Sequence, residues 1–551
     1  MKYEFGLEME ELEKRTNPEF ITTKILLKSD SPEYLSLQEG DKEALKYLVK
    51  AGAILENIHL QIDDHNNLPF KKFLEEEIAK NNKQAILTKI LFDAQKGIYS
   101  LDRLTNKIYL AKGVTNLPGI GVYPKDLTKE EFHNILIRML KEGKIDQVKS
   151  ILNQRSIVLR DGEYLKSVDY VDYFKEDFEK MAELFDKASK VSTNKDFNEY
   201  LILQSKALRK ADPMLDAEAD KKWATLQDTP LELTLTRENY EDELTGTFIE
   251  NPELKKLLEE NKINPVPKDC LGLRVGIINK QGTENLIKIK KYLPLLANKM
   301  PFNEEYEQKI SKEKTEETKQ TMVDVDLVMC AGNCGQYRAG ITVAENLPND
   351  DKLSLTIGGG KRNVYHRQIR FISDHWFTIG HENTHSLGPN MQNDKLGKYS
   401  HIIEENKADM GSLSFVDILT NEGYYTQEMR KAVIITAVVD TFLKVKPTLS
   451  QAHRVRTVMQ NYYLFKRGAY EIKDGKIYVN IDKVVPAANE MLKEIIRIQI
   501  DNDITKAEKY VNDNFVWTEE MQLIGEKQQK ENKELNGKLE NELADKLLAE
   551  N

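Results

Sequence analysis

The sequence predicts an α+β fold that is mainly α, built as two lobes, one largely helical and one containing a β-sheet or barrel. Three observations predict it. From Glu43 to Lys210 apolar residues recur at intervals of three and four, as in Ala44, Leu45, Leu48, Ala51, Ile54, Leu55 and Ile58, which is the spacing of amphipathic helices. From Pro230 to about Tyr365 the pattern changes to short β-branched or apolar runs, Leu231 to Leu235, Gly272 to Ile278 and Val323 to Met329, broken by Gly, Asn and Pro. From Ile372 to about Phe515 helical periodicity returns. The expected division is 1–250 as a helical region leading into the sheet-bearing lobe, joined by about 325–370, and 251–551 as the mainly helical lobe with its C-terminal tail.

Taken in order, the first punctuation is Leu117 to Pro124, a turn rich in Pro and Gly. Thr128 and Glu131 after it have capping-box spacing for the next helix. Gly119 and Gly121 do not make a dinucleotide loop, because Pro124 stands where a third glycine is needed. Gly358-Gly359-Gly360-Lys361 likewise reads as a turn, since Leu355 and Arg362 replace the residues a phosphate loop requires. The tail from Glu519 is proline-free, and Leu535, Leu539, Leu543 and Leu547 would share one face of a terminal helix.

Composition narrows the function. With 551 residues, 40% of them hydrophobic and 31% charged, the chain can bury a sizeable core and is not a disordered polymer. Eighty Lys and Arg against 90 Asp and Glu give a net charge of −10, so no global positive field exists to hold nucleic acid. No apolar run approaches the ~18 residues of a membrane span, and no signal peptide is visible, so a cytoplasmic location is expected. Three cysteines cannot form a disulfide framework, and Cys330 with Cys334 is a lone pair without the second half of a zinc site.

Six of the nine histidines lie between His366 and His453, and two of them form His381-Glu382-Asn383-Thr384-His385, an H-E-x-x-H motif. On a helix, residues four apart project from one face, so both imidazoles can reach one Zn²⁺ while Glu382 stands beside an open coordination position. Asp374 can cap the start of this helix, and Gly388-Pro389 ends it. Glu405, 20 residues beyond His385, is the candidate third ligand. It lies in a segment where Ile402, Ile403, Met410, Leu413 and Phe415 mark a buried helix, and the adjacent Glu404 and Glu405 would be costly there without a cation or a proton. Asp409, one turn further along the same face, can accept the free N–H of a liganding histidine. Two histidines, one glutamate and water form a catalytic zinc set.

H-E-x-x-H followed by Glu404-Glu405-Asn406-Lys407-Ala408-Asp409 resembles the gluzincin metallopeptidases, and among them the dipeptidyl peptidase III family, with its E-E-x-[KR]-A-[ED] segment. Asn346-Leu347-Pro348-Asn349 resembles the family's N-[IL]-P-N segment, and Gln451-Ala452-His453 its Q-A-H segment. The four segments stand in the family's order between about Pro230 and Tyr470, with a weaker match at Gly121 to Glu131. The four-residue histidine offset places the chain with the shorter-motif branch. Glu238-Asn239-Tyr240-Glu241-Asp242 matches an E-x-Y-x-D segment, while the tyrosine that assists catalysis in longer members aligns near Leu233 and has no owner.

The resemblance implies one zinc per chain held by His381, His385 and Glu405, with Glu382 as general base and Glu404 and Asp409 supporting the ligands. It implies His453 as stabiliser of the tetrahedral intermediate, and Asn346 and Asn349 as holders of the substrate backbone. The expected activity is hydrolysis of short peptides with release of N-terminal dipeptides, in a cleft between the lobes where strand pairing holds the peptide. A thermolysin-like endopeptidase or aminopeptidase would share the zinc chemistry, and a peptide-binding scaffold would share only the fold. Retention of Glu382 beside both histidines speaks against the scaffold, because a structural metal needs no base.

Overall fold

A computed structural model describes residues 3–18, 21–101, 107–223, 225–226, 228–237, 242–245, 249–306, 323–332, 376–389, 393–449, 451–473, 475–531 and 536–550. Asn346, Asn349, Asp374, Cys334, Leu535 and the segments 238–241 and 358–361 lie outside the described residues. The chain divides into two compact units, Met1–Asn279 with Val323–Val343 and Glu534–Asn551, and Lys280–Met322 with Ala344–Lys533. The first unit thus continues past residue 250 to Asn279, the end of a strand of its own sheet, and takes in the last residues of the chain.

The first strand of the first unit is β1 (Ile21–Ile25). Its principal helix is α1 (Glu39–Asp63), whose buried Ala44, Leu45, Leu48, Ala51, Leu55 and Ile58 follow the predicted spacing. In α2 (Lys129–Lys141), the Thr128 hydroxyl accepts a 3.2 Å bond from the Glu131 N–H, as the capping-box spacing requires. Then α3 (Lys175–Val191) and α4 (Lys195–Arg209) bury Phe178, Met181, Phe185, Phe197 and Tyr200 in the core that α1 lines.

Three of the predicted apolar runs form an antiparallel sheet of β2 (Leu231–Arg237), β3 (Leu271–Asn279) and β4 (Asp324–Gly332), with β3 in the middle. Leu231 pairs with Ile277 and Arg237 with Leu271, while Gly272 faces Gly332 and Asn279 faces Asp324. A register shift falls between Val275 and Gly276, where any Cβ would come within 2.3 Å of the Val325 side chain, so only glycine fits the bulge. Strand alternation sends Leu273, Val275 and Ile277 to the core lined by α1, and Ile278 to a small cluster with Leu26, Val325 and Leu327. Gly52 of α1 makes the helix–sheet contact close, since a Cβ there would lie 2.7 Å from the Met329 sulfur.

The tail departs from expectation. Helix covers Glu519–Glu531, but Asn536–Glu540 is a strand, β5, that pairs in parallel with β1, Ile21 opposite Asn536 and Ile25 opposite Glu540. Gly537 weakens helix here, and the open edge of β1 satisfies the backbone instead. The helix resumes at Glu542–Ala549 and buries Leu543, Ala544 and Leu547 in the first unit's core.

The second unit is helical around an apolar core of its own. Four of its helices matter below: α5 (376–385), α6 (Ser400–Ser414), α7 (Ala452–Lys466) and α8 (Ile481–Asp501). Ile402, Ile403, Met410, Leu413 and Phe415 are all buried, as read from the sequence. Among the described residues no helix is long and apolar enough to cross a membrane.

Candidate metal centre

The site starts from a close approach of two helices. A Cβ on Gly380 of α5 would lie 2.3 Å from the Ser412 hydroxyl of α6, and one on Gly411 of α6 would lie 2.2 Å from the Thr384 methyl of α5. The Ser412 hydroxyl donates 2.8 Å to the Phe377 carbonyl across the same contact. This backbone proximity lets one helix supply histidines and the other carboxylates to a common point. Beyond His385 the chain leaves the helix, and Gly388 takes a left-handed φ of 89°.

His381, His385 and Glu405 offer one atom each within 4.8 Å of one another, the one such group among the described residues. The His381 Nε2 lies 3.1 Å from the His385 Nε2 and 3.5 Å from the Glu405 Oε2. The other nitrogen of each ring is already committed. His381 Nδ1 sits 2.7 Å from the Asp409 Oδ1, and His385 Nδ1 sits 2.9 Å from the Glu404 Oε1. An ionised carboxylate only accepts, so each Nδ1 carries the proton and each Nε2 presents a bare lone pair.

The two carboxylates are themselves tied down. Gln499 of α8 donates 2.8 Å to the Glu404 Oε2, and Lys407 lies 2.8 Å from its Oε1. Gln460 of α7 donates 2.9 Å to the Asp409 Oδ2, which Arg456 of the same helix also contacts. Burial alone would lift the Glu404 carboxyl, but the His385 bond and the Lys407 ammonium outweigh it and hold it down to about 2. Glu405 follows the same pattern, with burial opposed first by His453 and then by His381 and Arg456, and it too falls to about 2. Burial, reinforced by the Arg456 charge, depresses His381 to about 4.

Two lone pairs facing each other at 3.1 Å repel unless a cation takes both. With metal–nitrogen bonds of ~2.0–2.1 Å, the edge of a tetrahedron is about 3.3–3.4 Å, close to both separations above. The donor set and its spacing therefore fit Zn²⁺. Side-chain exposure rises from 10% at His381 to 29% at His385, 35% at Glu382 and 56% at His453, which marks the side open to solvent. Glu382 stands on that side with Oε1 4.0 Å from the His381 Nε2.

His453, in the first turn of α7, places its Nδ1 3.1 Å from the Glu405 Oε2, so the segment identified only by resemblance comes to the same cluster. Leu233, where the catalytic tyrosine aligned, is a fully buried core residue of β2. Sequence reasoning missed Arg456, Gln460 and Gln499, and gave Lys407 no role. Arg456 and Gln460 follow His453 at three and seven, on its own helical face, a signal that was available. Gln499 is 94 residues beyond Glu405, and no local pattern marks it.

The protein is thus a mainly helical α+β chain of two units with a histidine–carboxylate cluster in the second. Its overall fold is that of dipeptidyl peptidase III. The structure of that enzyme from Caldithrix abyssi superposes with a TM-score of 0.72 at 21% identity, covering 97% of this chain and 100% of the other. The dipeptidyl-peptidase III of Corallococcus sp. strain EGB gives 0.73 at 18% identity, with 98% of each chain covered. At the sequence level the chain is 23% identical to Nudix hydrolase 3 of Arabidopsis thaliana over 553 aligned positions, 86% of this chain and 67% of that protein. No family model matches the chain.

Proposed function

We propose that this chain is a zinc-dependent peptidase of the dipeptidyl-peptidase type acting on short peptides. The carrying observation is the pair of Nε2 atoms 3.1 Å apart with both Nδ1 atoms held by carboxylates, and Glu405 beside them. The likeness to dipeptidyl peptidase III structures over nearly the whole chain supports the reaction class. The Arabidopsis relative has about a third of its length outside the matched portion, so its name does not decide the chemistry of this site.

Zinc bound by His381, His385 and Glu405 would polarise the scissile carbonyl and make a water acidic at neutral pH. Glu382 takes the proton of the attacking water and passes it to the departing amine, work that suits a carboxylate on the open side of the cluster. His453, more than half exposed and anchored through Nδ1 to Glu405, is the donor that meets the developing oxyanion. Asp409 and Glu404 hold the two imidazoles in the tautomer that presents Nε2. Asn346 and Asn349 complete the reading as holders of the substrate backbone.

Metal analysis of purified protein, with a dipeptidyl-arylamide assay before and after chelation, tests this directly. About one equivalent of zinc and activity that chelation removes are expected. Glu382→Gln should keep the metal and lose at least ~10²-fold in kcat. Protein that cannot be loaded with zinc, or a metal-replete Glu382→Gln enzyme with full turnover, defeats the reading. Equal cleavage of an amine-blocked peptide would favour a thermolysin-like endopeptidase.

A further inference from the structure

Lys407 is fully buried, an ammonium on the inner face of α6. Its Nζ lies 2.8 Å from the Glu404 Oε1 and donates 2.9 Å to the Leu387 carbonyl, with the His385 carbonyl at 3.3 Å. Glu404 in turn holds the His385 ring at Nδ1. The same ammonium therefore reaches His385 by two routes, directly at its main chain and through one carboxylate at its imidazole.

The His385 carbonyl is the last of α5, and the Leu387 carbonyl lies two residues beyond it. Helix C-termini leave carbonyls without intrahelical partners, and a cation there is favourable. Just beyond them Gly388, at φ 89°, turns the chain away.

We infer that Lys407 is a positioning residue that fixes His385 at backbone and ring together, so that the second metal ligand and the end of its helix form one rigid unit. This rests on the metal-binding reading of the site. It also makes a prediction of sign. A buried positive charge repels Zn²⁺, so if charge were its whole influence, removing it would tighten binding. If positioning dominates, removing it weakens binding, as loss of a partner behind a ligand does, by about 10–100-fold.

The test is a Zn²⁺ titration of full-length Lys407→Met, which keeps the length and apolar stem of the side chain. Glu404→Gln and the double variant complete a cycle. The expected result is a 10–100-fold higher zinc Kd for Lys407→Met, with the double variant within about threefold of the weaker single variant because both cut one linkage. Unchanged or tighter zinc binding by Lys407→Met, or fully additive losses in the cycle, would overturn the assignment. Should Lys407→Met fail to fold, Lys407→Gln keeps an N–H donor for the carbonyls and cuts only the route through Glu404; a smaller rise in zinc Kd, still at least severalfold, is then expected, and unchanged or tighter binding overturns the assignment. Failure of the wild type to bind zinc would instead remove the metal reading itself, and the two failures are told apart by that single control.

Discussion

At the scale of residues, the cluster is legible where chemistry is local and illegible where it is not. His381, Glu382 and His385 announce themselves by spacing, and Glu404, Glu405 and Asp409 by the cost of placing carboxylates on an apolar helix. Arg456 and Lys407 pay no such visible toll in the sequence, because Lys and Arg on a helix read first as solvated. The charges these groups carry predict an acid response for the metal-free protein. His381 titrates near 4 in the fold, below its ordinary 6.5, so the unfolded chain takes up a proton first as pH falls. Its contribution to stability is complete above about 6.5 and is lost down to about 4. Glu404 and Glu405, held to about 2 against an ordinary 4.5, contribute fully above 4.5 and lose that contribution as pH falls toward 2. Chelator-treated protein should therefore show a melting temperature that declines from pH 7 to pH 5 and more steeply below pH 4.5. A His381→Asn variant should lose the upper part of that decline, and a flat profile between pH 7 and 5 in both proteins would contradict the assignment.

At the scale of elements, the apolar runs at Leu231, Gly272 and Val323 were readable as strands because their alternation persists over five or more residues. The tail was not, because Leu539, Leu543 and Leu547 repeat at a helical interval across a strand–helix boundary, and the partner strand, Ile21–Ile25, lies more than 500 residues earlier. The pairing of α5 with α6 was similarly hidden. It depends on Gly380 and Gly411, two glycines inside helices, where the residue is otherwise unfavourable by ~1 kcal/mol relative to Ala. Their presence there is explained by the contact. Gly411→Ala gains helix propensity but drives a methyl into Thr384, whose backbone neighbour is the ligand His385. Overpacking of this kind costs ~1–3 kcal/mol. The expected outcome is a lower melting temperature and weaker zinc binding together, read by calorimetry and metal titration. A stabilised variant with unchanged zinc Kd would show that the helix approach does not set the ligand geometry.

At the scale of the whole molecule, the chain leaves the first unit after Asn279, returns to it for β4, and returns again at Glu534 after the second unit is complete. Every residue of the metal cluster belongs to the second unit, whereas Leu543 and Leu547 of the final helix are buried in the core of the first. Stability of the sheet-bearing unit therefore depends on the segment that returns to it after Glu534, and the metal site does not share a core with that segment. Leu547→Ala isolates that dependence, since Leu547 is 2% exposed and its truncation leaves a cavity against α1 and the sheet. A buried Leu→Ala change costs ~2–5 kcal/mol, and sites without shared partners behave additively. Thermal unfolding of the variant should therefore show the first unit destabilised, with zinc stoichiometry and zinc Kd equal to the wild type. Tryptophan fluorescence can assign the transition, because Trp223 lies in the first unit while Trp376 and Trp517 lie in the second. Loss of zinc in Leu547→Ala at a temperature where the second unit remains folded would mean that the metal centre draws its stability from the returning tail, and the independence argued from the two cores would fall.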